Sequence, residues 1–337
     1  MSQSEITLEI RDLCVEFHTV EGTVRAVDRL NYTLHRGEKL GIVGESGSGK
    51  SVSSLAIMGL IPNPPGKITG GEILFGGQEL TGLSEREMQK IRGNKISMIF
   101  QEPMTSLNPI IRCGRQIAEV LQLHRGMEKK KAMQEAIELL REVGIANPEA
   151  RAYEYPHQMS GGMRQRVMIA MALACQPEVL IADEPTTALD VTIQAQILDL
   201  IRELNEKRGT SILFITHDLG VVSELCDTVI VMYTGHVVEK APVRDIFTSP
   251  KHPYTQGLLH AIPAVTKERK PLETIEGMVP NPTQRIEGCS FWPRCPRATE
   301  SCKKEVPPLR SISDERDVRC WLYAEEDQAG GNAHGRE

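Results

Sequence analysis

No apolar run in this chain approaches the roughly 18 residues that a membrane-spanning helix needs; the best stretch, Val167 to Cys175, is about half that length. The expectation is a chain that does not cross a bilayer. A surplus of basic charge is also missing. The formal net charge is -6, which argues against a general nucleic-acid binder while leaving room for a local basic patch. The opening Met1-Ser2-Gln3-Ser4-Glu5 has neither the basic start nor the apolar centre of a secretory signal, so the expected compartment is the cytoplasm. Close C-x2-C pairs are absent as well, and with them the usual spacing of a zinc ribbon.

What is present is the composition of a globular protein. Charged residues at 25% and hydrophobic ones at 40% exclude wholesale disorder. At about 100 to 200 residues per domain, 337 residues suggest two domains. The eight cysteines of a cytoplasmic protein should be thiols or metal ligands. Cys14, Cys113, Cys175 and Cys226 are scattered, whereas Cys289, Cys295, Cys302 and Cys320 fall within 32 residues.

The stretch Gly44-Glu45-Ser46-Gly47-Ser48-Gly49-Lys50-Ser51 organises the rest. It fits G-x-x-x-x-G-K-[ST] and follows Leu40-Gly41-Ile42-Val43, which reads as a buried strand. Three glycines let the backbone wrap an anion with its amides pointing inward. Lys50 would set a compact positive charge on the β and γ phosphates of a nucleotide, and the Ser51 hydroxyl would hold Mg2+. A helix starting here, through about Met58, adds the positive end of its dipole.

Residues 5 to 43 read as strands of a small antiparallel sheet, with Ile6, Leu8 and Ile10 alternating with polar neighbours. Phe17 on that sheet is placed either to stack on a nucleotide base or to serve as a core aromatic. Gly70 to Gly77 reads as a strand and hairpin turn, and Lys95 to Phe100 as an apolar strand ending at Gln101. Ligands of open parallel sheets sit beyond the carboxyl ends of strands, where Gln101 would reach Mg2+ or an attacking water. From about Glu102 to Gln158 the pattern turns helical, with Ile117, Val120, Leu121 and Leu123, then Met133, Ile137, Leu140 and Val143, at near-helical spacing. Ser160-Gly161-Gly162 opens a further helix, whose free amides make a second anion site. Glu178 to Asp183 is a strand buried on both faces and ended by two carboxylates. Asp183 would support the Mg2+ shell and Glu184 would polarise a water. A helix near Thr192 to Lys207 leads to the strand Ser211 to Thr216, which ends at His217.

In this order, the phosphate loop, Gln101, Ser160-Gly161-Gly162, Asp183-Glu184, Ala188-Leu189-Asp190 and His217 resemble the ATP-binding cassette family of transport ATPases over about 200 residues. The resemblance implies an α/β fold: a P-loop NTPase core with an antiparallel β subdomain, a helical subdomain at about 102–165 inserted before the signature, and a small Cys-rich C-terminal extension. It also implies head-to-tail dimers, in which each ATP lies between one subunit's phosphate loop and the other's Ser160 signature, so that both anion sites serve one nucleotide. One departure stands out: Met163 replaces the usual glutamine after the two glycines, and Met159 the commoner leucine before them.

Gln101 to Pro109, Met159 to Arg166 and His252 to Leu259 narrow the resemblance to the ATPase subunits of bacterial oligopeptide and dipeptide importers. That family implies a peripheral subunit on the cytoplasmic face of the inner membrane, two membrane permeases, a second related ATPase, a solute-binding protein outside, and peptide uptake driven by ATP. Nickel, glutathione or sugar are alternative cargoes, and a soluble cassette protein of repair or translation is the rival from another class. The expected divisions are an ATPase domain at 1–247, a C-terminal domain at 248–323 and a disordered tail at 324–337. Four cysteines suffice for zinc or an iron-sulfur cluster, and spacing alone does not choose between them. The resemblance favours [4Fe-4S] on Cys289, Cys295, Cys302 and Cys320, with a structural role; free buried thiols are the plain alternative.

Overall fold

The computed structural model describes residues 5–101, 106–187, 190–261, 274–281, 283–284 and 286–324. The expectations for Glu102 to Thr105, for Ala188-Leu189 and for the tail beyond Ala324 lie outside these residues.

Short apolar runs dictate the centre of the molecule. Strands β3 (Lys39–Val43), β6 (Ile96–Ile99), β7 (Val179–Asp183) and β8 (Ser211–Thr216) are buried almost throughout. Such runs suit a parallel sheet covered on both faces. With β9 (Thr228–Tyr233) they form its parallel part, in the order β9-β3-β8-β7-β6. Because side chains alternate across a strand, the sheet feeds two cores. Val179, Ile181, Leu213, Ile215, Ile230 and Met232 face one core, under a four-stranded antiparallel sheet. Leu180, Ala182, Ile212, Phe214, Val229 and Val231 face the other, among helices. Each of these side chains larger than alanine contributes roughly 1.5–3 kcal/mol of burial.

The covering sheet has the order β2-β1-β4-β5 and comprises β1 (Ile6–Thr19), β2 (Gly22–His35), β4 (Gly66–Phe75) and β5 (Gln78–Glu79). The expected alternation holds at Leu8 and Ile10, which are buried; Ile6 is exposed because the register of β1 on β2 shifts between Ile6 and Leu8. Helix α1 (Lys50–Ile57) follows the phosphate loop. Helix α2 (Glu85–Ile91) had not been read from the sequence, although Ser84 and Glu87 form a capping box, with both the Ser84 N–H and hydroxyl donating to Glu87 Oε2.

The helical stretch contains α3 (Cys113–Arg125), α4 (Lys129–Glu142) and α5 (Pro148–Arg151), followed by α6 (Gly161–Leu173). Ile117 and Leu121 are buried as expected, while Leu123 is 74% exposed and lies on the outer face of α3. Helix α7 (Val191–Arg208) joins β7 to β8, and α8 (Leu219–Leu225) joins β8 to β9. The chain then folds back as β10 (His236–Pro242), α9 (Val243–Thr248) and α10 (Pro253–His260). After α11 (Glu300–Lys304), the hairpin β11 (Arg310–Ser313) and β12 (Arg316–Val318) extends the large sheet, pairing Glu239 with Val318 across β10 and β12. Strands on both sides of residue 247 therefore share one sheet.

Candidate nucleotide-binding site

Residues 44–49 form the turn between β3 and α1, and Lys50 and Ser51 open the helix. Glycine is required at two of its positions by close approach. At Gly44 a Cβ would stand 2.2 Å from the Met232 carbonyl oxygen, and at Gly49, with φ of 98°, it would stand 2.3 Å from that of Ala26. The flanks of the loop are buttressed: Gly235 N–H donates to the Ser48 carbonyl (3.0 Å), and Glu45 N–H donates to the Tyr254 hydroxyl (2.9 Å). Ser46 and Gly47 at the tip are open to solvent.

Lys50 is buried and donates to the loop's own carbonyls, Gly44 O at 2.7 Å and Glu45 O at 3.1 Å. Burial pulls its pKa down, while the carboxylates of Glu184, Asp183 and Glu45 pull the other way. An arriving phosphate would relieve that desolvation with a full counter-charge.

The ends of three parallel strands bring the acidic side together. Ser51 Oγ donates to Asp183 Oδ1 at 3.0 Å, joining the phosphate loop to the end of β7. Asp183 is pushed up to about 6, first by burial and further by Glu184, against the hydrogen bond from Ser51. A buried carboxylate of this kind favours a cation, so Ser51 and Asp183 suit Mg2+ beside the phosphates.

Glu184, next along, has a left-handed backbone (φ 47°) held by its N–H bond to the Ile215 carbonyl. Its carboxylate gathers three partners: Gln101 Nε2 donates to Oε2 at 3.0 Å, Thr187 Oγ1 donates to the same oxygen at 2.9 Å, and His217 Nδ1 lies 3.3 Å from Oε1. Gln101 follows β6 and His217 follows β8, so the sheet brings together residues that the sequence holds far apart. Thr187 had escaped the sequence reading; it reaches Glu184 through the turn in which Thr187 N–H bonds the Glu184 carbonyl.

Ser160 caps α6, its hydroxyl accepting the N–H of Met163 at 3.3 Å. Gly161 opens the helix, and Gly162 packs against Ile193 of α7. Three residues after Gly162, Gln165 Nε2 donates to the Pro185 carbonyl (2.6 Å), which ties the signature helix to the segment carrying Glu184. Asp190 caps α7, accepting the N–H of Ile193 at 2.9 Å. Phe17 is half-buried, with one edge against Gly66, and packs on the core beneath the small sheet.

Cys289, Cys295, Cys302 and Cys320 line one pocket with His252, Phe291, Trp292 and Trp321. Burial raises Cys289 and Cys320 to about 11 and moves Cys295 in the same direction. Among the described residues no group of three or more His, Cys, Asp or Glu side chains is disposed to hold a metal ion. The expected zinc or iron-sulfur centre therefore has converging thiols but no ready-made ion site.

Residues 27–187 match the ABC transporter family, and residues 238–302 match the C-terminal region of oligopeptide/dipeptide transporters. The dimeric post-hydrolysis state of the ATP-binding cassette MJ0796, bound to ADP and Pi, is 30% identical with a TM-score of 0.64, covering 70% of this chain and 99% of that one. Fold and site thus define an ABC ATPase, an ATP hydrolase. The oligopeptide transport ATP-binding protein AppD of Bacillus subtilis (strain 168) is 54% identical over 95% of this chain and 97% of its own length. The dipeptide transport ATP-binding protein DppD of Escherichia coli (strain K12) is 51% identical over 93% and 95%. The chain belongs to the family of ATP-binding subunits of oligopeptide and dipeptide ABC transporters.

Proposed function

We propose that this chain is the motor of a peptide importer. The observation that carries the reading is the gathering of Gln101, Thr187 and His217 on Glu184, next to the Ser51–Asp183 pair at the phosphate loop. Residues 44–51 bind the ATP phosphates, and Phe17 stacks on the base. Ser51, Gln101 and Asp183 hold Mg2+, which supplies charge neutralisation at the phosphates. Glu184 orients and polarises the attacking water, and His217 and Gln101 steady it towards the γ phosphate. Ser160, Gly161, Gly162 and Asp190 act on the nucleotide of a second cassette, in a dimer that ATP closes and hydrolysis reopens.

Two membrane permeases, a related ATPase and an external solute-binding protein complete the complex, with this subunit on the cytoplasmic side. Among the described residues no helix is long and apolar enough to cross a membrane. The ATPase domain takes residues 1–247, with the helical subdomain at about 102–165 meeting the permease, and the importer-type region takes 248–323. At the four thiols on one pocket, Cys302 buried and the other three half-buried, the family resemblance favours a structural [4Fe-4S] cluster over zinc. A single ion with bonds of about 2.3 Å must draw four sulfurs close together, whereas a cluster spreads them over its corners.

The test is Glu184→Gln, assembled with permeases and binding protein in membranes. Turnover should fall by about 100-fold or more while ATP binding persists. Undiminished turnover would move hydrolysis to the partner ATPase. Stimulation of wild-type turnover by di- or oligopeptides, rather than by nickel, sugar or glutathione, checks the cargo.

A further inference from the structure

Glu45, the second residue of the phosphate loop, brings a carboxylate into the segment that is to bind a triphosphate. Lys50 does not answer it with an ion pair, since its ammonium is hydrogen-bonded to loop carbonyls. The partner of Glu45 comes from the far end of the chain. Arg294 Nη1 donates to Glu45 Oε2 at 2.7 Å and Nη2 to Oε1 at 3.2 Å, a bidentate pair. The Arg294 side chain is 5% exposed and that of Glu45 28%.

The guanidinium is itself fixed. Its Nε donates to the Glu276 carbonyl at 3.1 Å and Nη2 to that of Ile275 at 3.4 Å, and its carbon lies 6.0 Å from the centre of the Tyr233 ring. Tyr233 packs on Tyr254 and Phe291, at 4.6 and 5.2 Å between ring centres. Tyr254 is the residue whose hydroxyl accepts the Glu45 N–H. Both the backbone and the side chain of Glu45 are therefore held by the C-terminal region.

We infer that Arg294 is a positioning residue for nucleotide binding: it neutralises the Glu45 carboxylate and draws it back, so that the phosphate loop meets ATP as a cationic cradle. Arg294 stands in the short turn Trp292–Arg294, between Cys289 and Cys295. The C-terminal segment thereby sets ATP affinity, whatever its cysteines hold. The inference rests on the loop's binding ATP, which wild-type titration tests separately.

The experiment is calorimetric titration of the full-length chain with a non-hydrolysable ATP analogue and Mg2+, for wild type, Arg294→Gln, Arg294→Lys, Glu45→Gln and the Arg294→Gln/Glu45→Gln double variant. Arg294→Gln should weaken binding about tenfold, an effect that shrinks as salt is raised. The double variant, with no carboxylate left to neutralise, should regain most of the affinity that Arg294→Gln loses, and Arg294→Lys should lie between wild type and Arg294→Gln. Thermal unfolding without nucleotide checks that each variant is folded. A purely structural latch gives the opposite pattern, with the double variant no better than Arg294→Gln. That pattern, or unchanged binding by Arg294→Gln, overturns the inference. Should Arg294→Gln not fold, Arg294→Lys takes its place: binding weaker than wild type, with a loss that shrinks as salt is raised, upholds the inference, and unchanged binding overturns it.

Discussion

Gly49 concentrates what the phosphate loop demands of single residues. Its φ of 98° is costly for any residue with a Cβ, and the carbonyl oxygen of Ala26 occupies the space that Cβ would need. Gly49→Ala should cost about 1–2 kcal/mol from backbone conformation alone. The displaced loop should also lose more than about tenfold in ATP affinity, since its inward amides depend on this turn. Thermal unfolding and nucleotide titration on one preparation check this, and unchanged affinity would mean that the loop does not cradle phosphate. Residues such as Gly49, Lys50 and Ser51 were legible in the sequence because loop, preceding strand and following helix are contiguous. Gln101, Asp183, Glu184 and His217 were legible for a related reason: each ends an apolar run, and a parallel sheet gathers the ends of such runs. Arg294 was not, because no local pattern announces that an arginine will pair with a carboxylate 249 positions earlier. Thr187 was missed on similar grounds, a hydroxyl given meaning by the turn it sits in.

Among the elements, β10 carries a group with a measurable pH signature. His236 at its start is buried against β2, with Nε2 3.7 Å from Asp28 Oδ2 and Nδ1 without a hydrogen-bond partner. Asp28, which also pairs with Arg25, favours the charged ring; burial, Arg319 and Arg29 oppose it, and the balance lowers His236 to about 4. The unfolded chain, with an ordinary histidine near 6.5, binds a proton that the folded chain refuses between about pH 6.5 and 4. Stability from this residue is thus fully present above that window and is lost as pH falls through it, by about 3 kcal/mol at the scale of about 1.36 kcal/mol per unit. Urea unfolding at pH 7 and pH 4.5 should show wild type losing more stability than His236→Gln. Equal losses would mean that His236 takes up its proton in the folded state.

The same scale shows where periodicity works and where it stops. Helices α3 and α4 and the four buried strands followed from apolar spacing, but spacing cannot say which side a marginal residue takes, and Leu123 falls outside. Strands β11 and β12 were invisible because they are short and half-polar, and they become strands through the edge that β10 offers.

Across the whole molecule the C-terminal region is bound in three ways. Strand β12 lengthens the large sheet, Tyr254 and Phe291 fill the helical core, and Arg294 grips the phosphate loop. Among the described residues between α10 and β11, the regular elements are the turn Trp292–Arg294 and the single-turn helix α11. Four thiols around one pocket stand where a cluster would staple these elements together. Left as thiols, Cys289 and Cys320 at about 11 remain neutral and contribute only as small apolar groups. Joined through a cluster they would close the short loops between successive cysteines, the longest, Cys302 to Cys320, worth roughly 3 kcal/mol by loop-closure arguments. Full-length chain purified without oxygen should therefore contain about four iron and four acid-labile sulfide per molecule. Cys302→Ser should lose most of that iron and melt about 5–10 °C lower. Wild-type chain that is free of iron, releases four accessible thiols from this region on denaturation, and melts with Cys302→Ser would sink the cluster and leave packing around Phe291 as the tie that keeps Arg294 against the phosphate loop.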